Sequence, residues 1–342
     1  MMSHRYKLWM AAAALAAVHG AVLLAGFLCP YNYASQNRDL AFAPPTRVHF
    51  LDSSGRFHLR PFVYGLRPGM DGSYETDSMR TYALEFLTEG SPYKIAGCIP
   101  SRTHLFGVQA PGRLFLLGTD AYGRDQFSRF LYGGQLSLLA GLLAAAISLL
   151  FGVTIGALAG FYAGWLDELL MRGAEIFLAL PWLYLLFAVR AAMPLHIAGW
   201  QVFLLLVSVI GLIGWARPAR LIRGVVLSAK ERNFVLAARG FGASDAYLLT
   251  RHVLPQASGV ILTQLALLIP QYVLAEVTLS FLGLGVSEPM ASWGSLLSSL
   301  QQYYVISSYW WMFLPALLLI PVFLLYHLAA DALQERVRSV QL

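Results

Sequence analysis

The chain is predicted to be an all-α integral membrane protein with about six transmembrane helices and a large extracytoplasmic insertion after the first. Three observations carry that prediction. Of 342 residues, 58% are hydrophobic and only 12% charged, half the share of about 25% usual in soluble domains, and the mean hydropathy is +0.60. Six stretches approach the roughly 20 apolar residues needed to cross a bilayer. Residues 30–135, after the first stretch, break the pattern with charges and turn residues. The net charge of +6 does not point to nucleic acid, because the basic residues are scattered over loops and not gathered on one soluble face.

In order, the predicted spans are about Leu8 to Leu28, Leu136 to Tyr162, Ala174 to Met193, Trp200 to Ala216, Gly259 to Leu284 and Trp310 to Ala330. Arg190 and Pro194 interrupt the third and fourth. The first has the basic start (Arg5, Lys7) and apolar core of a signal peptide. Its length and the bulky Leu28-Cys29-Pro30 ending favour an uncleaved anchor over residues 1–29.

Orientation follows from Lys and Arg in short loops. Seven lie between Arg217 and Arg251 and none between Val286 and Tyr309. The 217–255 loop is therefore expected in the cytoplasm with both termini, the 333–342 tail included. The 30–135 loop is then outside despite its eleven basic residues, since long loops cross regardless of charge. Its turn clusters (Pro44-Pro45, Ser53-Ser54-Gly55, Pro68-Gly69, Asp71-Gly72-Ser73) and short apolar runs suggest a loop-rich extension with a few strands or helical turns. Cys29 and Cys98 both face this side: they either form a disulfide, as an oxidising compartment permits, or are two unrelated buried thiols.

Between the fourth and fifth spans stands a polar hairpin. Ser228-Ala229-Lys230-Glu231 fits a capping box, so a helix is expected from about Ala229 to Arg239. Gly240 takes the left-handed C-cap position. Ser244, with Asp245 after it, caps a second helix, and Pro255 stops or kinks it where the fifth span begins. Ala237, Ala238, Gly240, Gly242 and Ala243 leave the elbow almost free of side chains, open to close approach by another backbone. The residues alone allow either an amphipathic loop lying on the bilayer or a docking element for a partner.

The stretch "LAARGFGASDAYLLTRHVLP" resembles the EAA loop of ABC-importer permeases, through Ala237, Ala238, Gly242, Leu254 and Pro255. The family's leading Glu is replaced by Leu236. Three further stretches resemble the dipeptide/oligopeptide/nickel branch of those permeases: "GTDAYGRDQFSRFLYGGQLSLLAG" from Gly118, "GFYAGWLDELLMR" from Gly160 and "LAEVTLSFLGLGVSEPMASWGSLL" from Leu274. The resemblance covers about 118–336 and leaves out about 47–116.

The resemblance implies a permease domain over 136–332 of a bacterial inner-membrane importer, non-catalytic in itself, forming half of a translocation path for peptides. It implies as partners a second homologous permease, one or two cytoplasmic ABC ATPases that bind ATP and Mg, and an extracytoplasmic substrate-binding protein. The ATPase-coupling residues would be Ala237, Ala238, Gly240, Gly242, Ala243, Ser244, Asp245, Leu254 and Pro255. No cofactor is expected on this chain, which has no GxxxxGK[ST] phosphate loop. Nickel remains an alternative cargo, although no metal-binding set of residues favours it. Ser292-Trp293-Gly294 would belong to an outer loop facing the binding protein.

Gly152, Gly156, Gly160 and Gly164 recur at four-residue spacing, a small-residue face. It serves either packing inside the chain or packing on a partner permease along the translocation path. Glu276 lies inside the fifth span, where an ionisable side chain is either functional or a brace between helices. Arg190 is read as snorkelling. Trp293 and the cluster Tyr303, Tyr304, Tyr309, Trp310 and Trp311 read as an interfacial aromatic belt. Asp120, Arg124, Asp125 and Arg129 are expected to pair locally. The rival reading is an ion-coupled carrier without an ATPase or a membrane enzyme. HExxH, GxSxG and metal-spaced His clusters are absent, and inverted repeats with paired intramembrane charges are not evident.

Overall fold

The computed structural model describes residues 4–69, 73–95, 97–192, 198–286 and 288–341. Among them, five helices are long and apolar enough to cross a membrane, or six if one bent pair is counted as a single span. The chain forms two compact units. One comprises Met1–Leu15, Leu138–Glu276 and Phe323–Leu342, and the other Ala16–Ser137 and Val277–Val322.

The helices are α1 (His4–Leu23), α2 (Gln126–Tyr162), α3 (Gly164–Ala179), α4 (Trp182–Ala191), α5 (Gly199–Gly214), α6 (Ala216–Lys230) and α7 (Asn233–Gly240). They continue as α8 (Asp245–Phe281), then α9 (Trp293–Leu297), α10 (Tyr303–Ser308) and α11 (Leu314–Gln341). The third predicted span is not a straight helix from Ala174. It begins at Gly164, and α3 and α4 meet at 79° across Leu180-Pro181. Pro181 has no N–H for the helical ladder and its ring excludes the helical carbonyl before it. The span's predicted end at Met193, with Pro194, lies outside the described residues. The fourth span does not stop at Ala216; it continues through α6 to Lys230.

Within the first unit, α2 lays its glycines on α6. A Cβ at Gly152 would stand 3.0 Å from Pro218, at Gly156 2.4 Å from the Ala219 carbonyl, and at Gly160 2.8 Å from the Arg223 carbonyl. The four-residue spacing thus serves packing inside the chain, not a face turned to a partner. Gly164, the fourth glycine, does not join it: its φ is +63°, at the turn into α3, with open space around it. Arg223 of α6 donates two hydrogen bonds to Asp167 of α3, each 2.5 Å. Ala174, Trp215, Ala216 and Ala219 close the seam beside that pair.

In the second unit, residues 49–108 form an antiparallel four-stranded sheet in the order β1 (His49–Leu51), β2 (Phe57–Pro68), β3 (Tyr74–Ile95), β4 (Ile99–Val108). The insertion is therefore a sheet rather than a loop-rich extension. Asp52 makes the first turn: its Oδ1 accepts from the Ser54 N–H (2.9 Å), the Ser54 hydroxyl (2.6 Å) and the Arg56 N–H (2.9 Å), and Gly55 takes φ +79°. The expected turn at Asp71-Gly72 lies outside the described residues. The two ends of the insertion are tied together, the Thr46 N–H donating to the Phe115 carbonyl at 2.8 Å and the Phe115 N–H to the Thr46 hydroxyl at 3.0 Å.

Cys29 and Cys98 are both free, which corrects the disulfide reading. The Cys29 carbonyl accepts from the His104 ring at 2.5 Å, whereas Cys98 sits at the β3–β4 turn. His104 lies six positions beyond Cys98 along β4, about 20 Å of extended chain, against a Cα separation under about 7 Å for a disulfide. Burial pushes the Cys29 thiol up, nearby Asp125 adds to that, and the Ser128 contact opposes it. A maleimide should accordingly label one thiol in the native protein, at Cys98, and two after denaturation. Two rapidly labelled native thiols would contradict this packing.

Candidate functional site

The polar hairpin rests on a dense apolar support. Val235 of α7 and Leu248, Val253 and Ala257 of α8 pack with Phe161 and Ala157 of α2 and with Ile222, Val226 and Ala229 of α6. Each of these is at most 5% exposed, so burial of this one face fixes how the hairpin projects.

The local chemistry differs from the sequence expectation at three points. Ser228 is not an N-cap: α6 runs through it to Lys230, and α7 starts afresh at Asn233. Gly240 remains helical, and Gly242 takes the left-handed turn with φ +85°. The Ser244 cap is present, its hydroxyl accepting from the Tyr247 N–H at 3.4 Å. Pro255 does not stop the helix. Leu248–Val253 form a π turn and Leu254–Ala257 a 3₁₀ turn, through which the chain runs on into the span. This local rewinding accommodates a proline that lacks the N–H a regular helix would use.

What the hairpin exposes is an elbow with little beside it. A Cβ at Gly240 or Gly242 would meet nothing within 4 Å. Phe241 between them is 92% exposed, and Phe234, Leu236 and Tyr247 are each exposed by 43% or more. Ala237 is exposed, Ala238, Ala243 and Leu254 are half-buried and Pro255 is exposed. Arg239 and Asp245 face each other across the elbow at 3.6 Å, an exposed pair worth well under about 1 kcal/mol. An aromatic residue held out on an unencumbered turn has the form of the anchors that dominate protein interfaces.

A second cluster lies in the other unit, at the start of α2. Arg124 donates to Asp120 (2.7 Å) and to Glu288 (2.6 Å), and Arg129 to Glu288 (2.9 Å). The Arg124 and Arg129 side chains are 7% and 2% exposed. The pairing expected among Asp120, Arg124, Asp125 and Arg129 is therefore only partly local: Glu288, which sequence reasoning missed, closes it from the loop after α8. A lone Glu in a loop otherwise free of charge was the available signal. Burial pushes the Glu288 carboxyl up, but the two guanidiniums outweigh it and hold the group below its usual range.

Asp125 caps α2, accepting from the Ser128 N–H (2.8 Å) and hydroxyl (2.5 Å). Burial nevertheless pushes it up to about 6 against these bonds. The folded protein thus holds this proton more tightly than the unfolded chain. Its stability is undiminished below the ordinary value of 3.8 and declines as pH rises towards 6. Unfolding of this unit should cost about 1 kcal/mol more at about pH 5 than at about pH 7.5, and Asp125→Asn should abolish the difference. A pH difference that persists in that variant would assign the effect elsewhere.

Trp293 is not part of an interfacial belt. It is 1% exposed and donates its ring N–H to the Phe130 carbonyl at 2.9 Å. Trp311 is buried and Tyr309 stacks on Phe42, their centroids 4.2 Å apart; Tyr303, Tyr304 and Trp310 are the exposed aromatics of that group. Glu276 is 1% exposed within α8.

A profile of the family described as "Binding-protein-dependent transport system inner membrane component" matches residues 152–339, a range that contains the hairpin and excludes the sheet. The chain is 35% identical over 219 residues to the dipeptide transport system permease protein DppC of Bacillus subtilis, covering 64% of this chain and 66% of that one. It is 34% identical over 239 residues to the oligopeptide transport system permease protein OppC of the same organism, covering 69% and 75%. It is also 34% identical over 227 residues to the glutathione transport system permease protein GsiD of Pectobacterium atrosepticum, covering 66% and 73%.

Proposed function

Because the chain belongs to the family of binding-protein-dependent transport system inner membrane components, we propose that it is a permease subunit of an ATP-driven ABC importer. It forms half of a path for di- or oligopeptides, or peptide-like molecules, across the bacterial inner membrane. The relatives named for dipeptides, oligopeptides and glutathione support a peptide cargo over nickel. The observation that carries the reading is the hairpin: an exposed Phe241 between two glycines with open space around them, on a support that buries every residue beneath it. An ion-coupled carrier has no use for such an element.

In this reading the elbow of α7–α8 sits in a groove of a cytoplasmic ATPase, which binds ATP and Mg. Nucleotide-driven closure pulls the docked elbow, and the helical stretch from Asp245 to Phe281, which runs on through its π and 3₁₀ turns, carries the displacement into the membrane. A second homologous permease completes the path, and an extracytoplasmic binding protein delivers the peptide. Both termini are cytoplasmic.

The test is gentle detergent extraction of the tagged chain, expressed from its own locus, with mass spectrometry of what co-purifies. A second permease and one or two phosphate-loop ATPases are expected. A chain that comes down alone, even after cross-linking in intact membranes, would overturn the assignment and restore the carrier.

A further inference from the structure

Where α3 and α4 bend apart at Leu180-Pro181, they leave a cavity of about 140 Å³ within the first unit. Its walls are apolar: Phe177, Leu180, Trp182 and Leu186 from the bent pair, Ile210 from α5, Leu268 from α8. Cavities of about 150 Å³ lined by such groups take up one benzene-sized guest, so this one fits a single Leu- or Phe-sized side chain. Three polar residues join the lining, Arg217, Gln271 and Tyr272. The Tyr272 hydroxyl is engaged, donating to the Ser148 hydroxyl at 2.9 Å, so it offers the cavity its ring.

Arg217 and Gln271 are different. Both are exposed. Further along the same helix, Arg223 is matched by Asp167; among the described residues no acidic side chain pairs with Arg217. A guanidinium is a fork of donors shaped for a carboxylate, and Gln271 brings both an amide donor and an acceptor beside it. The cavity is thus an apolar slot with an unmatched cation and an amide in its lining.

We propose that this cavity is a subsite for the C-terminal residue of a peptide in transit, its apolar side chain filling the slot and its free carboxylate held by Arg217 and Gln271. This deepens the importer reading and rests on it. A lipid, with a phosphate on Arg217 and an acyl chain in the slot, would use similar chemistry. Gln271 favours the peptide, because its amide oxygen can accept from a peptide N–H and a diacyl lipid phosphate has none to offer there.

The test uses the complex purified through the tagged chain and reconstituted with its binding protein and ATP. The probe is a tripeptide ending in photo-leucine, a Leu-sized diazirine residue, made as the free acid and as the C-terminal amide. After illumination, adducts are mapped by mass spectrometry. The acid should label residues 177–186 and 268–275. Labelling should fall about tenfold for Arg217→Gln, the loss expected when a charged hydrogen-bond partner is removed, and Arg217→Lys should recover part of it. The binding protein is the same throughout, so the difference belongs to the permease. If Arg217→Gln fails to assemble, Ala275→Leu, which fills the slot and keeps the cation, should reduce labelling as strongly.

Uptake that proceeds with unchanged labelling in both variants, or with adducts only outside the slot, overturns the subsite and leaves the importer standing. So does a phospholipid that co-purifies with the wild-type complex and is lost from Arg217→Gln without any peptide adduct. A wild-type complex that takes up no peptide with ATP overturns the importer reading, and the subsite with it.

Discussion

Phe241→Asp is expected to leave the protein inserted and folded but to lower ATP-driven peptide uptake about a hundredfold, the loss of roughly 3 kcal/mol that follows removal of a central aromatic anchor. The fold should not notice the change. Phe241 is 92% exposed, and the burial that shapes the hairpin belongs to Val235, Leu248 and Val253. On the proposed docking, what would be lost is an apolar ring seated in a partner's groove, replaced by a charge that must be dehydrated there. ATP hydrolysis by the complex should persist at its basal rate and cease to follow peptide. Gly242→Glu should give the same uncoupling, because its φ of +85° resists any Cβ by about 1–2 kcal/mol and its carboxylate enters the same space. Gly240→Ala is the control, being helical with nothing within 4 Å, and should transport normally if the groove tolerates a methyl. Side-by-side uptake and hydrolysis assays decide the matter; wild-type uptake by Phe241→Asp would remove the elbow from the coupling path.

Gly156→Leu should destabilise the protein by about 3 kcal/mol, the upper part of the usual range for overpacking, although leucine suits a membrane better than glycine. A Cβ there would stand 2.4 Å from the Ala219 carbonyl. The obstacle is backbone, so no rotamer relieves it, and α2 and α6 must separate. Separation also pulls on the hairpin, since Ala157 and Phe161 follow on the same helix and belong to its support. Gly173→Leu on α3, with nothing within 4 Å, is the matched control. Denaturant titration in detergent should place Gly156→Leu well below both wild type and that control; coincident midpoints would mean that the two helices are not held by this contact.

Much of this architecture is legible because a bilayer imposes it. The apolar runs around Leu136–Tyr162, Gly259–Leu284 and Trp310–Ala330 each mark a helix, but one end of each runs on into polar sequence: α2 starts at Gln126, α8 at Asp245, and α11 ends at Gln341. The elbow was also readable, since glycines, a capping serine and a basic flank are local signals. Which glycine turns left-handed was not, because it depends on where α7 begins, and that is set by packing of Val235 into the support. The break at Pro181 was available in the sequence and was masked by the apolar residues on either side. The sheet was harder. β3 runs 22 residues with most side chains exposed, and it is a strand because β2 pairs with its first half, Tyr74 to Ala83, and β4 with its second, Leu84 to Ile95. The link from Arg124 and Arg129 to Glu288 joins residues some 160 positions apart, beyond the reach of any local pattern.

The seam between Thr46 and Phe115 bears on how this chain acquired its length. The strands follow one another in order, so the whole segment between the two residues is a closed cassette entered and left at one point. Loop closure grows more costly by only about 0.6 kcal/mol per doubling of length. Loss of the cassette at that point would leave the chain ends adjacent, but would also remove the His104 ring from the Cys29 carbonyl and the Tyr74 hydroxyl from the Ala41 carbonyl. The family profile begins only at residue 152, so the cassette lies wholly outside the part of the chain that the family shares.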